Sequence, residues 1–443
     1  MTTPLFPEED RSAGETDSTR LNVIRYGTET EIAALIQSLR NEKLDTLDDA
    51  LVTLAQNTHN RGILKGIFEF FGERGKSGLE DRAIRAIDER DLENNETVTA
   101  AMDYLGKVKA GNAVKSLQKL IGTKERRFMV PAIRALGRAA GLDTETADET
   151  AEYLSGYYSD EDPPDEYRRE IIAAIGETGS VKGIPFLIGI AAGTEERVTL
   201  RIAALDALSI IGDDSALPVI ISAVSDEDPN VRSSAIAALG PFKGEEVNRA
   251  ILEAFRDSYY RTRLGAAQAS RRGKLEEAVP YLKFRAERDE VPQVRDEAIR
   301  ALGAIETAET YDILKALFED RLSPAPVRIR SAEMLVNRDT DACVEKLIAE
   351  MDDAKSRNQT ALYNGLLNIV GGARSNKLEA LARRLLNSGE ILEKSYALDL
   401  AANNNFRGMA EDIRSLTENR NASLARKARN VLGKLEEQGG PDS

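Results

Sequence analysis

Four arginines in the middle of this 443-residue sequence stand at one fixed distance behind a carboxylate. Arg168 follows Asp162, Arg201 follows Glu195, Arg232 follows Asp226 and Arg295 follows Asp289, each by six residues. Guanidinium and carboxylate in register can pair through charge-assisted hydrogen bonds, or the arginines can form a ladder that grips a ligand. We read all eight residues as architectural. A second group differs from its surroundings: Phe255, Tyr259, Tyr260, Arg261, Arg263, Arg271, Arg272 and Lys274, with Tyr281 and Phe284 after them, concentrate rings and positive charge in an acidic chain. Aromatic and Arg side chains are the usual anchors of protein interfaces. They also fit core aromatics with a solvated basic edge. Tyr259, Tyr260, Arg261, Arg263, Arg271, Arg272 and Lys274 are accordingly the candidate partner-binding residues.

Other chemistry is thin. The chain has 1 His and 1 Cys, so His59, in the polar joint QNTHNRG, finds no second His or Cys nearby to complete a zinc set or a triad. Cys343, among Ala342, Val344 and Leu347, reads as a small buried apolar side chain. GERGKSG, at Gly72 to Gly78, contains Gly-Lys-Ser, but its glycine spacing is wrong for a phosphate loop and no strand precedes it. Asp160, Glu161, Asp162 and Asp165 lack the alternation and the turn glycine of a calcium loop. We expect no catalytic residues, cofactor or metal.

A formal charge of −15 and a pI near 4.9 argue against binding nucleic acid by neutralising phosphates, and would steer a basic protein or peptide partner. No stretch approaches the roughly 18 apolar residues of a membrane span. The first twenty residues are polar and acidic, without the apolar core of a secretory leader. As written, the chain is expected in the cytoplasm, or in the periplasm or envelope if a leader was removed.

These residues must be positioned by helices. SALPVIISAVSDEDPNVRSSAIAALG, from Ser215 to Gly240, reads as a helical hairpin. Ala216, Leu217, Val219, Ile220 and Val224 form one apolar face, with Pro218 in the first turn. Asp226, Glu227, Asp228 and Pro229 break that helix and cap the next, whose apolar side is Val231, Ala235, Ile236, Ala238 and Leu239 and which Gly240 ends. Neither face can be buried alone. The pattern of Arg232, Ala235, Ala238, Leu239 and Gly240 recurs fully at Arg295 to Gly303 and with changes at Arg168 to Gly176 and Arg201 to Ser209. Weaker copies end at Gly72, Gly106, Gly137, Gly371 and Gly433, and degenerate ones at Arg271, Val336 and Ala402. A period of roughly 31 to 39 residues marks a solenoid.

We therefore expect an all-α chain, a right-handed α–α superhelix of about 11 or 12 helical pairs. Residues 1–20 read as a disordered acidic tail, 21–435 as the solenoid with an acidic insertion at about 143–166, and 436–443 as a frayed end. The helix near Thr28 to Arg40 is expected to be the second half of an incomplete first repeat. Within the insertion, a helix is expected from about Thr146 to Tyr158 and a loop from Ser159 to Pro164.

Around Asp228, Val231, Arg232, Ala235, Ala238, Leu239 and Gly240 the sequence resembles HEAT repeats, in particular the short bacterial and archaeal HEAT-like group also found in phycobilin lyases. The resemblance covers about residues 28 to 435. It implies a protein-binding scaffold, with the acid and Arg residues bonding along the stack from one repeat to the next. HEAT-like deoxyhypusine hydroxylases carry several His-Glu pairs for iron, and this sequence has none. HEAT-like DNA glycosylases go with a basic channel and aromatic side chains facing DNA, from which an acidic chain with no Trp departs.

The function expected from the sequence is a non-catalytic scaffold or adaptor that binds a protein or peptide on a curved surface. The alternatives are a lyase-type HEAT protein acting on a chromophore or a modified protein, a nucleic-acid binder, and a structural envelope-associated spacer. The binding site is expected where the repeat pattern fails, first in the repeat ending near Arg271 and then in the acidic insertion before Tyr167.

Overall fold

The computed structural model describes residues 9–42 and 45–437, with the side chains of residues 17–42 and 45–436. Every regular element among them is helical. The chain divides into two compact units, Met1–Phe242 and Lys243–Ser443.

The first unit contains α1 (Glu9–Tyr26), α2 (Glu29–Glu42), α3 (Asp48–Asn57), α4 (Arg61–Glu73), α5 (Glu80–Asp88), α6 (Asn95–Lys107), α7 (Val114–Gly122), α8 (Arg126–Ala139), α9 (Thr144–Glu161), α10 (Asp165–Thr178), α11 (Ile184–Ala192), α12 (Val198–Ile211), α13 (Leu217–Ala223) and α14 (Pro229–Ala238). The second contains α15 (Glu245–Ala254), α16 (Tyr260–Gly273), α17 (Val279–Arg288), α18 (Pro292–Ile305), α19 (Ala308–Glu319), α20 (Ala325–Arg338), α21 (Thr340–Ser356), α22 (Thr360–Gly372), α23 (Glu379–Leu386), α24 (Ile391–Asn404), α25 (Ala410–Arg414) and α26 (Ala422–Glu437).

In each unit an odd-numbered helix packs on the even-numbered one after it, and successive even-numbered helices pack on one another to form a continuous layer. The 26 helices make thirteen pairs among the described residues. The difference from the expected count lies at the N-terminus. There α1 runs back to Glu9, into the segment read as a tail, and completes the first pair. Its polar sequence hides the reason, which is tertiary: Ile24 is buried and Arg20 bonds Glu42 at 2.7 and 2.6 Å. Residues 1–8 of that expected tail, and 438–443 of the expected frayed end, lie outside the described residues. The acidic insertion is the first helix of the fifth pair: α9 reaches Glu161, and Asp162 ends it in the left-handed conformation at φ 44°.

The repeated alanines and glycines let the even-numbered helices approach closely. A Cβ on Gly137 would lie 2.7 Å from Ala174 Cα, and one on Gly176 would lie 2.7 Å from Ala207 Cα. Both glycines sit inside their helices, α8 and α10, which end at Ala139 and Thr178. The final glycine of the repeat pattern is therefore a contact position in these copies. Only in α14 does it lie beyond the helix, as at Gly240. Leucines and isoleucines such as Leu117, Leu136, Ile175, Leu187 and Leu208 are fully buried between the layers, each contributing about 1.5–3 kcal/mol.

Candidate functional site

The repeated arginine is the fourth residue of its even-numbered helix, which places it beside the turn that enters the helix. Arg201 of α12 donates to the Ala191 carbonyl at 3.2 Å and to Asp226, in the turn before α14. Arg263 of α16 donates to both carboxylate oxygens of Asp289 at 2.7 and 2.9 Å, and to the carbonyls of Asp257 and Ser258. Arg328 of α20 donates to the Phe318 carbonyl at 2.8 Å and to Glu350 at 2.6 Å. Each of these three buried guanidinium groups thus ties its helix to the following repeat.

The four arginines singled out by spacing divide. Arg201 is such a rung, but its acid is Asp226, while Glu195 is exposed. Arg168 pairs with its own Asp162 and lies over the Tyr158 ring. Arg232 and Arg295 bond backbone carbonyls of their own turns, at Asp226 and Glu227 and at Asp289. Sequence spacing missed Arg328 and misplaced Arg263, although both stand eight residues before the degenerate repeat ends, Val336 and Arg271, where the pattern puts its arginine. Burial pushes the Asp289 carboxyl up, but the bonds from Arg263 and the Val291 N–H, with Arg285 nearby, outweigh it and hold the group below its ordinary value.

The aromatic and basic group is not one cluster. Tyr259, Tyr260 and Arg261 lie at the start of α16, and Arg271, Arg272 and Lys274 at its end, about 15–20 Å away along a helix of that length. At the start, Tyr259 and Tyr260 pack edge to face at 5.5 Å and Arg261 lies over the Tyr260 ring. At the end, Arg271 bonds Glu297 at 2.6 Å and Lys274 bonds Glu306 at 3.0 Å, both in the next repeat, and Arg272 is exposed. Arg263 leaves the candidate set: it is 4% exposed and its bonds all run inside the fold. Phe255 is core, stacked on Tyr281 at 5.6 Å, whereas Phe284 is 55% exposed.

Each unit also has a groove on its even-numbered layer. In the first unit a cavity of about 570 Å³ runs across α4, α6 and α8, with Ala100, Gly106 and Ala135 among small residues on its floor and Lys65, Glu96, Asp103, Arg134 and Arg138 around it. In the second, a cavity of about 810 Å³ lies over α18, α20 and α22, lined by Ile329, Gly365, Ile369, Arg330, Glu333 and Asn337 among others. Charges around both are largely paired between repeats: Lys65 with Glu96 at 2.6 Å, Arg134 with Glu170 at 2.6 Å and Arg330 with Asp296 at 2.5 Å. The Arg134 bond is the main cause holding the Glu170 carboxyl below its ordinary value.

The scarce reactive side chains sit apart. His59 is exposed, with Nδ1 3.3 Å from the Asn57 carbonyl. Cys343 is buried, its Sγ donating to the Asp339 carbonyl at 3.1 Å, and burial with the nearby Asp339 charge pushes the thiol up to about 11. In GERGKSG, Arg74 and Lys76 both bond the buried Asp48. Among the described residues no three His, Cys, Asp or Glu side chains form a metal-holding group, and no helix is long and apolar enough to cross a membrane.

A family described as Spirochaete HEAT repeat protein matches residues 24–431. Deoxyhypusine hydroxylase of Candida albicans is 29% identical over 135 residues, 30% of this chain and 41% of that protein. The chain therefore spans less than half the length of this curated relative. The karyopherin Kap121p, in its crystal structure bound to the extreme C-terminus of the protein phosphatase Cdc14p, superposes over 95% of this chain and 54% of its own, at 13% identity and a TM-score of 0.50. A crystal structure of importin beta covers 97% of this chain and 68% of its own, with 14% identity and a TM-score of 0.40.

Proposed function

The chain belongs to the spirochaete HEAT repeat protein family, and from that premise we propose that it is a non-catalytic scaffold that binds a protein or peptide along its even-numbered helices. The observation that carries this reading is that a groove crosses three successive helices of that layer in each unit, lined by small side chains in the first and by glycine and aliphatic ones in the second, with polar ones around both. A shallow groove across successive repeats suits many modest contacts with an extended segment of another protein. The charge of −15 steers a basic partner. Kap121p, which shares the fold, was crystallised with the end of another protein bound, and we extend only that general use of the fold to this chain.

The test is affinity capture with the full chain as bait, repeated with Thr99→Trp and Asn337→Trp. Both side chains are exposed and line the grooves. A partner retained saturably by the native chain and reduced at least about tenfold by one of the tryptophans supports the reading. Capture of nothing saturable favours a structural spacer instead, and a bilin whose absorption changes on addition to the chain favours a lyase.

A further inference from the structure

One part of the even-numbered layer departs from the paired-charge rule. On α12 the residues Ile202, Asp206 and Ile210 recur every fourth position and share a face with Ala203; Ile210 is 57% exposed. The adjoining α14 presents Ser233, Ser234 and Ala237, and the Ser234 hydroxyl donates to Asp206 at 3.1 Å, setting the two faces side by side. The other charges of these helices turn away, Arg201 to Asp226 and Arg232 to carbonyls of the turn before α14. Two adjacent helices thus show solvent a nearly neutral, partly apolar strip with one carboxylate in it. Elsewhere on the layer, acids such as Glu96, Glu170 and Glu297 take a Lys or Arg from a neighbouring repeat. Among the described residues, Asp206 bonds only the Ser234 hydroxyl.

We propose that this strip is a recognition subsite for a lysine or arginine side chain flanked by aliphatic residues in a partner polypeptide, with Asp206 as its ion-pair partner. The proposal rests on the scaffold reading and names the partner chemistry. Ser234 occupies one lone pair of the carboxylate and leaves acceptor capacity for an ammonium or guanidinium group. Ile202, Ala203 and Ile210 cover the aliphatic stem and its neighbours, removing water from the pair. A carboxylate without a cation in an apolar strip is a poor feature for packing alone, and it complements a cationic guest.

The test pans a random 12-residue peptide phage library on the full chain. Selected sequences are synthesised and titrated by fluorescence anisotropy against the native chain, Asp206→Asn, Ile210→Ser and, as a charge-matched control in the same unit, Glu145→Gln. Asparagine keeps an acceptor for Ser234, and circular dichroism checks the fold of each variant. The expected result is peptides carrying Lys or Arg beside Leu, Ile or Val, bound about tenfold more weakly by Asp206→Asn, more weakly by Ile210→Ser and unchanged by Glu145→Gln. Peptides without a cation, no enrichment, or equal affinity for the native chain and Asp206→Asn overturns the proposal. Peptides indifferent to Asp206 but lost on Thr99→Trp or Asn337→Trp overturn the subsite and leave the scaffold standing.

Discussion

Arg263 and Asp289, twenty-six residues apart, form a bidentate pair at 2.7 and 2.9 Å in which neither side chain is more than 5% exposed. The acid belongs to the turn before α18 and the arginine to the first turns of α16, so the pair locks one repeat to the next, with Arg285 of α17 at 3.4 Å from the same carboxylate. Arg201 with Asp226 and Arg328 with Glu350 do the same.

Removing one member leaves the other charged and buried. Arg263→Ala is expected to destabilise the second unit by about 3–5 kcal/mol. Lys274→Ala, which breaks an exposed pair with Glu306, should cost less than about 1 kcal/mol. Urea unfolding followed by circular dichroism measures both. Equal effects would remove the distinction between rungs and surface pairs.

The glycines make a second contrast. Gly137→Ala drives a methyl group into the Ala174 backbone and is expected to cost about 1–3 kcal/mol. Gly189→Ala, inside α11 with nothing within 4 Å of the new Cβ, should stabilise by about 0.5–1 kcal/mol. Thermal unfolding of the two variants gives opposite shifts in Tm.

Two aspartates predict opposite pH responses. The folded state holds Asp289 below its ordinary value, so its contribution is present above the unfolded carboxylate range and is lost as pH falls through the folded value. Asp206 keeps contact with solvent, but desolvation by the helices around it, only partly offset by the Ser234 bond, raises the carboxyl above its ordinary value. Between the two values its folded state binds more protons, so stability falls as pH rises through the raised value. Asp206→Asn should therefore raise Tm at neutral pH, with the gain shrinking toward about pH 4, whereas Asp289→Asn should lower Tm at neutral pH. Melting curves across this range check both signs.

The stack was legible because its pattern is local: an apolar face, an arginine and a small residue recur at fixed offsets. What was not legible depends on the neighbouring repeat. Spacing showed Asp226 six residues before Arg232, but the carboxylate reaches back to Arg201, and no single-helix pattern contains that choice. Arg263 occupied the right slot and was hidden by the aromatic residues beside it. The short apolar content of α1 hid a helix that forms by packing through Ile24. The expectation that a binding site lies where the pattern fails led to α16, whose ends the structure sets apart. The strip carrying Asp206 lies on α12 and α14, the latter from one of the best-matching repeats.

The central claim is that a partner polypeptide lies on the even-numbered layer. Photocrosslinking tests it most directly, with p-benzoylphenylalanine placed singly at Thr99 and Asn337 on that layer, and at Lys119 of α7 and Lys315 of α19 on the odd-numbered one, in the presence of the captured partner. The account predicts partner adducts from Thr99 or Asn337 and none from Lys119 or Lys315. Adducts confined to Lys119 and Lys315 would contradict it.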